Sequence, residues 1–339
     1  MSKNITIKDI AREAGVSIAL VSFVMNNRVD ANGKQKYRVS ETTKEKILAV
    51  AKRLNYQPSS AARMLRQGRT RVIGVILSDM ANIFYGIIAR ELENWAFKRG
   101  YTLVFGSSDE NPEKFSRLLR SFLEKDVEGF ILVPCAGSAS TMEYLMTTGR
   151  PYVVIDRHYP GHEEPSVLTD NEDAMHQAVD VLRRRGVKKM ALLSYAMRIS
   201  SMTDREKAFR KDLGDDALIY NIPFENLDES AEKILDQMIQ DGVDGIISAS
   251  NVPSVAIIKA MQKRGIRVQK DIQMVGFDYS NVYDVFDPPI PYILQPLPEI
   301  AKEASAYLFR LIDMKEKGED ISVIKDRIIM KASLKNDRS

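Results

Sequence analysis

From Val72 onward, short apolar runs alternate with stretches of helical periodicity, and few folds accommodate that alternation. The runs at Val72–Leu77, Thr102–Phe105, Phe130–Val133, Tyr152–Ile155, Met190–Leu193, Gly245–Ser248, Met274–Gly276 and Tyr292–Leu294 each suit one buried strand. Between them, Phe84–Lys98, Pro112–Leu123, Asp173–Arg184, Ser230–Gln240, Pro253–Arg264 and Glu299–Lys315 read as amphipathic helices. Gly100, Gly186, Gly242 and Gly265 follow these helices closely, as C-terminal caps do. A parallel strand pair needs a crossover connection, so repeated βα units imply parallel sheets covered by helices on both faces. About eight strands over some 260 residues exceed one compact unit. Two sheets with a cleft between them are expected.

In such folds ligands bind outside the carboxyl ends of the strands. The first strand ends at Ser78-Asp79, followed by Asn82, Phe84 and Tyr85. Asp156-Arg157 follows the fourth, and the Met190–Leu193 strand leads into a loop and then Arg205. Later strands deliver Ser250 and Asn251, Phe277-Asp278-Tyr279, and Gln295. Each residue alone could be a helix cap or a surface charge. Together they form a set of carboxylates, guanidinium groups, amides and aromatic rings suited to a sugar or a nucleobase. Enzyme chemistry finds little support. No Gly-x-Gly-x-x-Gly follows a strand, and no phosphate-binding Gly-x4-Gly-Lys loop occurs. His158 and His162 have a spacing that could hold a metal on a helix, but Pro160 and Gly161 oppose a helix there. His176 reads as a structural residue of its helix, and Cys135 as a buried thiol at a strand end. No metal and no cofactor are expected.

The first 71 residues differ in kind. They carry 15 Lys and Arg against 5 Asp and Glu, whereas residues 72–339 carry 34 against 41. The formal charge of +3 therefore hides a basic N-terminal fifth on a mildly acidic remainder. Thr6 and Asp9 have capping-box spacing, and Ile7, Ile10, Ala11 and Ala14 share a helical face. Gly15 supplies a left-handed turn, and Ser17 caps a second helix whose Leu20, Val21, Val24 and Met25 face inward. This is either an ordinary helical hairpin or a helix-turn-helix whose second helix enters the major groove of DNA. The basic charge favours DNA, because such a domain displaces counterions from phosphates. Ser40 caps a third helix to about Leu54, Pro58 can open a short helix at Ser59–Leu65, and Gln67–Thr70 reads as a linker. The Met-Ser-Lys-Asn start has no secretory character and no run spans a bilayer. With a single cysteine, these features place the expected protein in the cytoplasm, away from membranes.

The residues resemble the lactose-repressor (LacI/GalR) family of bacterial transcription regulators over nearly the whole chain. The N-terminal likeness lies in Thr6-Ile7-Lys8-Asp9, Ala14-Gly15-Val16-Ser17, Val21-Ser22, Asn26, Val39-Ser40, Leu54-Asn55-Tyr56, Pro58, Ala62-Arg63 and Leu65. The body matches through Ile73-Gly74-Val75, Asp156-Arg157, Arg205, Gly276-Phe277-Asp278 and Gln295-Pro296. The resemblance implies an all-α helix-turn-helix headpiece at 1–58 and a hinge helix with linker at 59–71. It also implies an α/β periplasmic-binding-protein-like body at 72–339, built of two Rossmann-like subdomains with parallel sheets. The N-subdomain would span about 72–165 and 297–322, the C-subdomain about 166–296 and 323–335.

A homodimer reading a near-palindromic double-stranded operator is implied, with a small carbohydrate effector controlling affinity. Thr6, Ser17, Ile18, Ala19, Ser22, Phe23, Asn26 and Tyr56 would serve DNA binding, as would Ser59, Ala62 and the minor-groove wedge Leu65. Asp79, Asn82, Phe84, Tyr85, Asp156, Arg157, Arg205, Ser250, Asn251, Asp278 and Gln295 would serve the effector. Leu20 and Phe23 stand where the family usually has Thr and Arg, so Phe23 either faces thymine methyls or packs inward. The loop 27–38 is longer than usual, and its Lys34, Lys36 and Arg38 are expected on phosphates. Ile83 replaces a common Pro, and Ser250-Asn251 a common Asn-Asp pair. The polar tail Lys335–Ser339 lacks leucine heptads, which favours a dimer over a tetramer. Two rivals, a transport solute-binding protein and a Rossmann-type enzyme, lack respectively the export signal and the glycine loop they require.

Overall fold

A computed structural model describes residues 5–25, 39–56, 69–159 and 161–337. The chain forms two compact units, residues 1–70 and 71–339.

In the first unit, α1 (Ile7–Ala14), α2 (Ile18–Met25) and α3 (Glu41–Arg53) enclose one small core. The Asp9 carboxylate accepts from Thr6 N at 3.0 Å and Thr6 Oγ1 at 2.7 Å, which fixes where α1 begins. Gly15 ends it at φ 65°, a conformation a Cβ would penalise. Ser17 Oγ accepts from Leu20 N at 3.2 Å, and Ser40 Oγ from Thr43 N at 3.2 Å, so each following helix starts on a hydroxyl cap. Ile10, Ala11, Ala14, Val21, Ile47, Val50 and Ala51 form the core.

The second unit holds two six-stranded sheets. Its first half comprises β1 (Val72–Leu77), α4 (Ile83–Lys98), β2 (Thr102–Ser107), α5 (Pro112–Glu124), β3 (Gly129–Leu132), α6 (Ala139–Thr147), β4 (Tyr152–Ile155) and β5 (Ser166–Thr169). Next come α7 (Asn171–Arg184), β6 (Met190–Tyr195), α8 (Ser200–Leu213), β7 (Leu218–Ile222) and α9 (Leu227–Gln240). The second half continues with β8 (Gly245–Ser248), α10 (Asn251–Lys263), β9 (Gln273–Phe277) and β10 (Tyr292–Leu294). The chain ends with α11 (Leu297–Glu316), β11 (Arg327–Met330) and β12 (Ser333–Lys335). Strand order is β11-β5-β4-β3-β1-β2 in one sheet and β12-β10-β9-β8-β6-β7 in the other. All pairings are parallel except β10 with β12.

The chain therefore crosses between halves three times: after β5, after β10 and after β11. This corrects the expected subdomain limits. Ser166–Thr169 and Arg327–Met330 belong to the first sheet, because β5 pairs with β4 in the register Val154↔Ser166 and β11 pairs with β5. α11 returns to the first half, burying Leu297, Ile300, Ala304, Leu308 and Ile312 against the first sheet and α4. The three crossings are tied together. Asp170 N donates to Met330 O at 2.8 Å, and Thr169 Oγ1 bonds Gln295 Oε1.

Candidate functional site

The carboxyl ends of both sheets face a cavity of about 50 Å³. Asp79, Asn82, Phe84, Tyr85, Asp156, Arg157, Arg205, Ser250 and Asp278 line it, all of them expected from sequence at this edge. Two expected residues sit elsewhere. Asn251 lies at the rim, and Gln295 is buried behind the cavity, in the second crossing. Arg205 lies within α8, and its side chain is only 2% exposed.

Local structure sets these positions. Asn82 Oδ1 accepts from Phe84 N at 3.0 Å, capping α4 and turning the Phe84 and Tyr85 rings inward. The two rings meet edge to face with centroids 4.9 Å apart. Asp156 and Asp278 leave their strands with φ of 68° and 64°, a left-handed turn that a short polar side chain tolerates better than most. Gly276, just upstream, is obligatory for packing. A Cβ there would lie 2.4 Å from Cζ of the buried Tyr283.

Charge is organised differently on the two sides. In the first half, Arg157 makes a bidentate pair with Glu110, 3.0 Å to each oxygen, and contacts Asp156 Oδ2 at 3.3 Å. Tyr85 Oη donates to Asp156 at 2.9 Å and accepts from Arg157 at 3.1 Å. Burial, with the Asp156 charge beside it, pushes the Tyr85 phenol well above its usual range and keeps it protonated. Burial works against the Arg157 charge, but the carboxylates of Glu110 and Asp156 outweigh it and raise that pKa. In the second half, Arg205 donates to Asn171 Oδ1 at 2.8 Å and Ala249 O at 2.6 Å, and stacks on Phe277 at 3.7 Å. Burial lowers its pKa, and Asp278 partly offsets that. Burial also raises Asp278 to about 6, against the pull of Arg205 and of Gln295 Nε2, which donates to it at 2.7 Å.

The halves touch across the cleft. Asn82 and Asn251 exchange amide hydrogen bonds of 3.2 and 2.9 Å, and His158 N donates to Ser200 Oγ at 2.8 Å. Glu110, Asn171, Tyr195 and Phe224 were not anticipated from sequence. Glu110 follows β2, a strand end that the same rule would have examined. Tyr195 ends β6, which runs two residues past its expected limit, and Phe224 follows β7, a strand the apolar pattern did not reveal. Cys135 is buried as expected, and burial raises its thiol to about 11, so it is no nucleophile at neutral pH. Among the described residues no group of His, Cys, Asp and Glu is arranged to hold a metal.

In the headpiece, Thr6, Ser17, Ile18 and Ala19 are exposed, while Ser22 and Tyr56 are half-buried. Phe23 is only 5% exposed. Among the described residues it is not part of the core that joins α1, α2 and α3. Asn26, Lys34, Lys36, Arg38, Ser59, Ala62 and Leu65 lie outside the described residues.

The model of the lacI family of bacterial regulatory proteins matches residues 6–59, and that of the periplasmic binding protein domain matches residues 73–283. An HTH-type transcriptional regulator, RegA of Clostridium saccharobutylicum, is 30% identical, with 97% of this chain and 98% of the relative aligned. The chain belongs to the LacI family of bacterial regulatory proteins. A second member, the ribose operon repressor of Halalkalibacterium halodurans, is 30% identical over 91% of both chains. The lac repressor crystal structure superposes with a TM-score of 0.80 at 24% identity, covering 98% of each chain. As a LacI-family member the protein is a DNA-binding transcription regulator under allosteric control by a small molecule, and not an enzyme. Among the described residues no helix is long and apolar enough to cross a membrane.

Proposed function

We propose that this LacI-family protein is a homodimeric repressor of a near-palindromic operator, and that a carbohydrate bound between its two sheets sets operator affinity. The observation that carries the effector half is the hydrogen-bonded path from the cleft to the crossings. Asp278 in the cavity holds Gln295 in the second crossing, and Gln295 holds Thr169 in the first. A ligand that engages Asp278 and Arg205 acts on the same bonds that fix the halves against each other, which is the differential contact an allosteric switch needs. Aromatic walls at Phe84, Tyr85, Tyr195 and Phe224, with carboxylates and guanidinium groups between them, suit a polyhydroxylated ring. The kinship with a ribose operon repressor agrees with that class.

On the DNA side, Ser17, Ile18 and Ala19 are the outward groups at the start of α2; Thr6 is exposed as well, and Ser22 and Tyr56 are half-buried. Ile18 is 49% exposed and offers an apolar contact for a thymine methyl. Asn26, Lys34, Lys36, Arg38, Ser59, Ala62 and Leu65 complete the interface on sequence grounds.

Gel shifts on the promoter region, across a salt series and with a panel of sugars, test both halves. Affinity should fall steeply with salt and change with one sugar. No binding even at low salt would end the operator reading, and indifference to every sugar would end the carbohydrate reading.

A further inference from the structure

We infer that Glu110 sets the charge selectivity of the cleft, by occupying the guanidinium of Arg157 and so barring effectors that carry a phosphate or carboxylate. This rests on the cleft being the effector site. Arginine recognises anions through its planar fork, two parallel N–H groups on two oxygens. In this cleft Glu110 already takes that geometry, with Nη1 and Nη2 each 3.0 Å from a carboxylate oxygen. Both side chains are nearly inaccessible, 6% and 7% exposed. An anionic ligand would have to displace Glu110 and leave its charge buried without the partner that compensates it, a costly exchange.

The other guanidinium offers no substitute. Arg205 is committed to Asn171 and Ala249 O, and Asp278 lies within its field. Four carboxylates, Asp79, Glu110, Asp156 and Asp278, line the cavity against two guanidinium groups. The site thus has an acidic surplus, although it contains two arginines. The chain also accepts a left-handed backbone at Glu110, φ 56°, which is uncommon for a residue other than Gly, Asn or Asp.

The test uses the full chain and matched probes: ribose, glucose and adenosine, each beside its phosphate ester, in calorimetry with the wild type and with Glu110→Gln. The wild type should bind the uncharged member of a pair at least about 100-fold more tightly than its ester. In Glu110→Gln, which keeps the shape and removes the charge, the ratio should narrow by about tenfold or more. A phosphate ester bound as tightly as its uncharged partner by the wild type overturns the inference, and so does a ratio that Glu110→Gln leaves unchanged. Inorganic phosphate gives a reading that needs no sugar. Phosphorus NMR should show a phosphate site in Glu110→Gln that the wild type lacks, and equal binding by both overturns the inference. If no probe sugar or nucleoside binds while the phosphate difference appears, the carbohydrate reading fails and the role of Glu110 stands.

Discussion

Arg157 and Arg205 are both buried at strand-end level of the same cleft, yet they are held in opposite ways. Arg157 sits among carboxylates of its own half, and its charge is neutralised on contact. Arg205 rests on an amide oxygen, a backbone carbonyl and an aromatic face, with its countercharge Asp278 nearby. A guanidinium saturated by carboxylates is part of the scaffold. One held by neutral acceptors beside a single acid retains a field that a ligand hydroxyl can use. In the proposed reading, the same residue type at equivalent depth serves structure in one half and recognition in the other.

Four changes would break or sharpen that contrast. The largest effect is expected from Arg157→Ala, which strands Glu110 and Asp156 in the interior and should destabilise the body by about 3–5 kcal/mol. Replacing Arg157 and Glu110 together with Met and Leu should restore much of that loss, and urea denaturation measures both. A single variant as stable as wild type would remove the scaffold role.

Asp278 should impose a pH dependence of about 3 kcal/mol on the unliganded body. Its folded pKa, raised to about 6 by burial, exceeds the unfolded value. Its contribution is therefore fully present below about pH 4 and lost as pH rises through 6. The unfolding free energy of wild type minus that of Asp278→Asn should grow as pH falls from 7 to 4, and a flat difference would contradict the burial argument.

Arg205→Ala should weaken effector binding by about 100-fold, some 2.7 kcal/mol, while operator affinity in gel shifts persists. A retained response would take Arg205 out of the site and erase the contrast with Arg157. The smallest effect belongs to Asn82→Ser. It keeps a capping group for α4 but is too short to reach Asn251, which removes about 1 kcal/mol of contact between the halves. Small-angle scattering of the unliganded protein should show a more open body, and effector affinity should fall severalfold. An unchanged profile would mean the amide pair does not hold the cleft closed.

Much of this is legible in the sequence. Hydroxyl caps at Ser17 and Ser40, the Asp9 reach-back and the Gly15 turn are interactions within a few residues, so spacing alone reveals them. The strand-end rule located most of the cavity lining because a parallel sheet presents every carboxyl end on one side. The rule failed where the apolar signal was weak. β5 has only Val167 and Leu168 between two hydroxyl residues, β11 opens on Arg327 and alternates between exposed and half-buried positions, and β7 carries Asn221 among its apolar residues, so the crossings and Phe224 were misplaced or missed.

By itself, then, the sequence determined the kinds of element, the basic headpiece, the family and the edge on which a ligand binds. Those properties follow from local periodicity, capping and charge, each readable within a short window. Only the tertiary structure decided that the chain crosses after β5, and that Gln295 stands behind the cavity rather than in it. It alone decided that Arg157 is spoken for, because Glu110 lies 47 residues away and meets it only when β2 and β4 take their places in one sheet. Electrostatic pairing acts through space, and a short window of chain does not contain the partner.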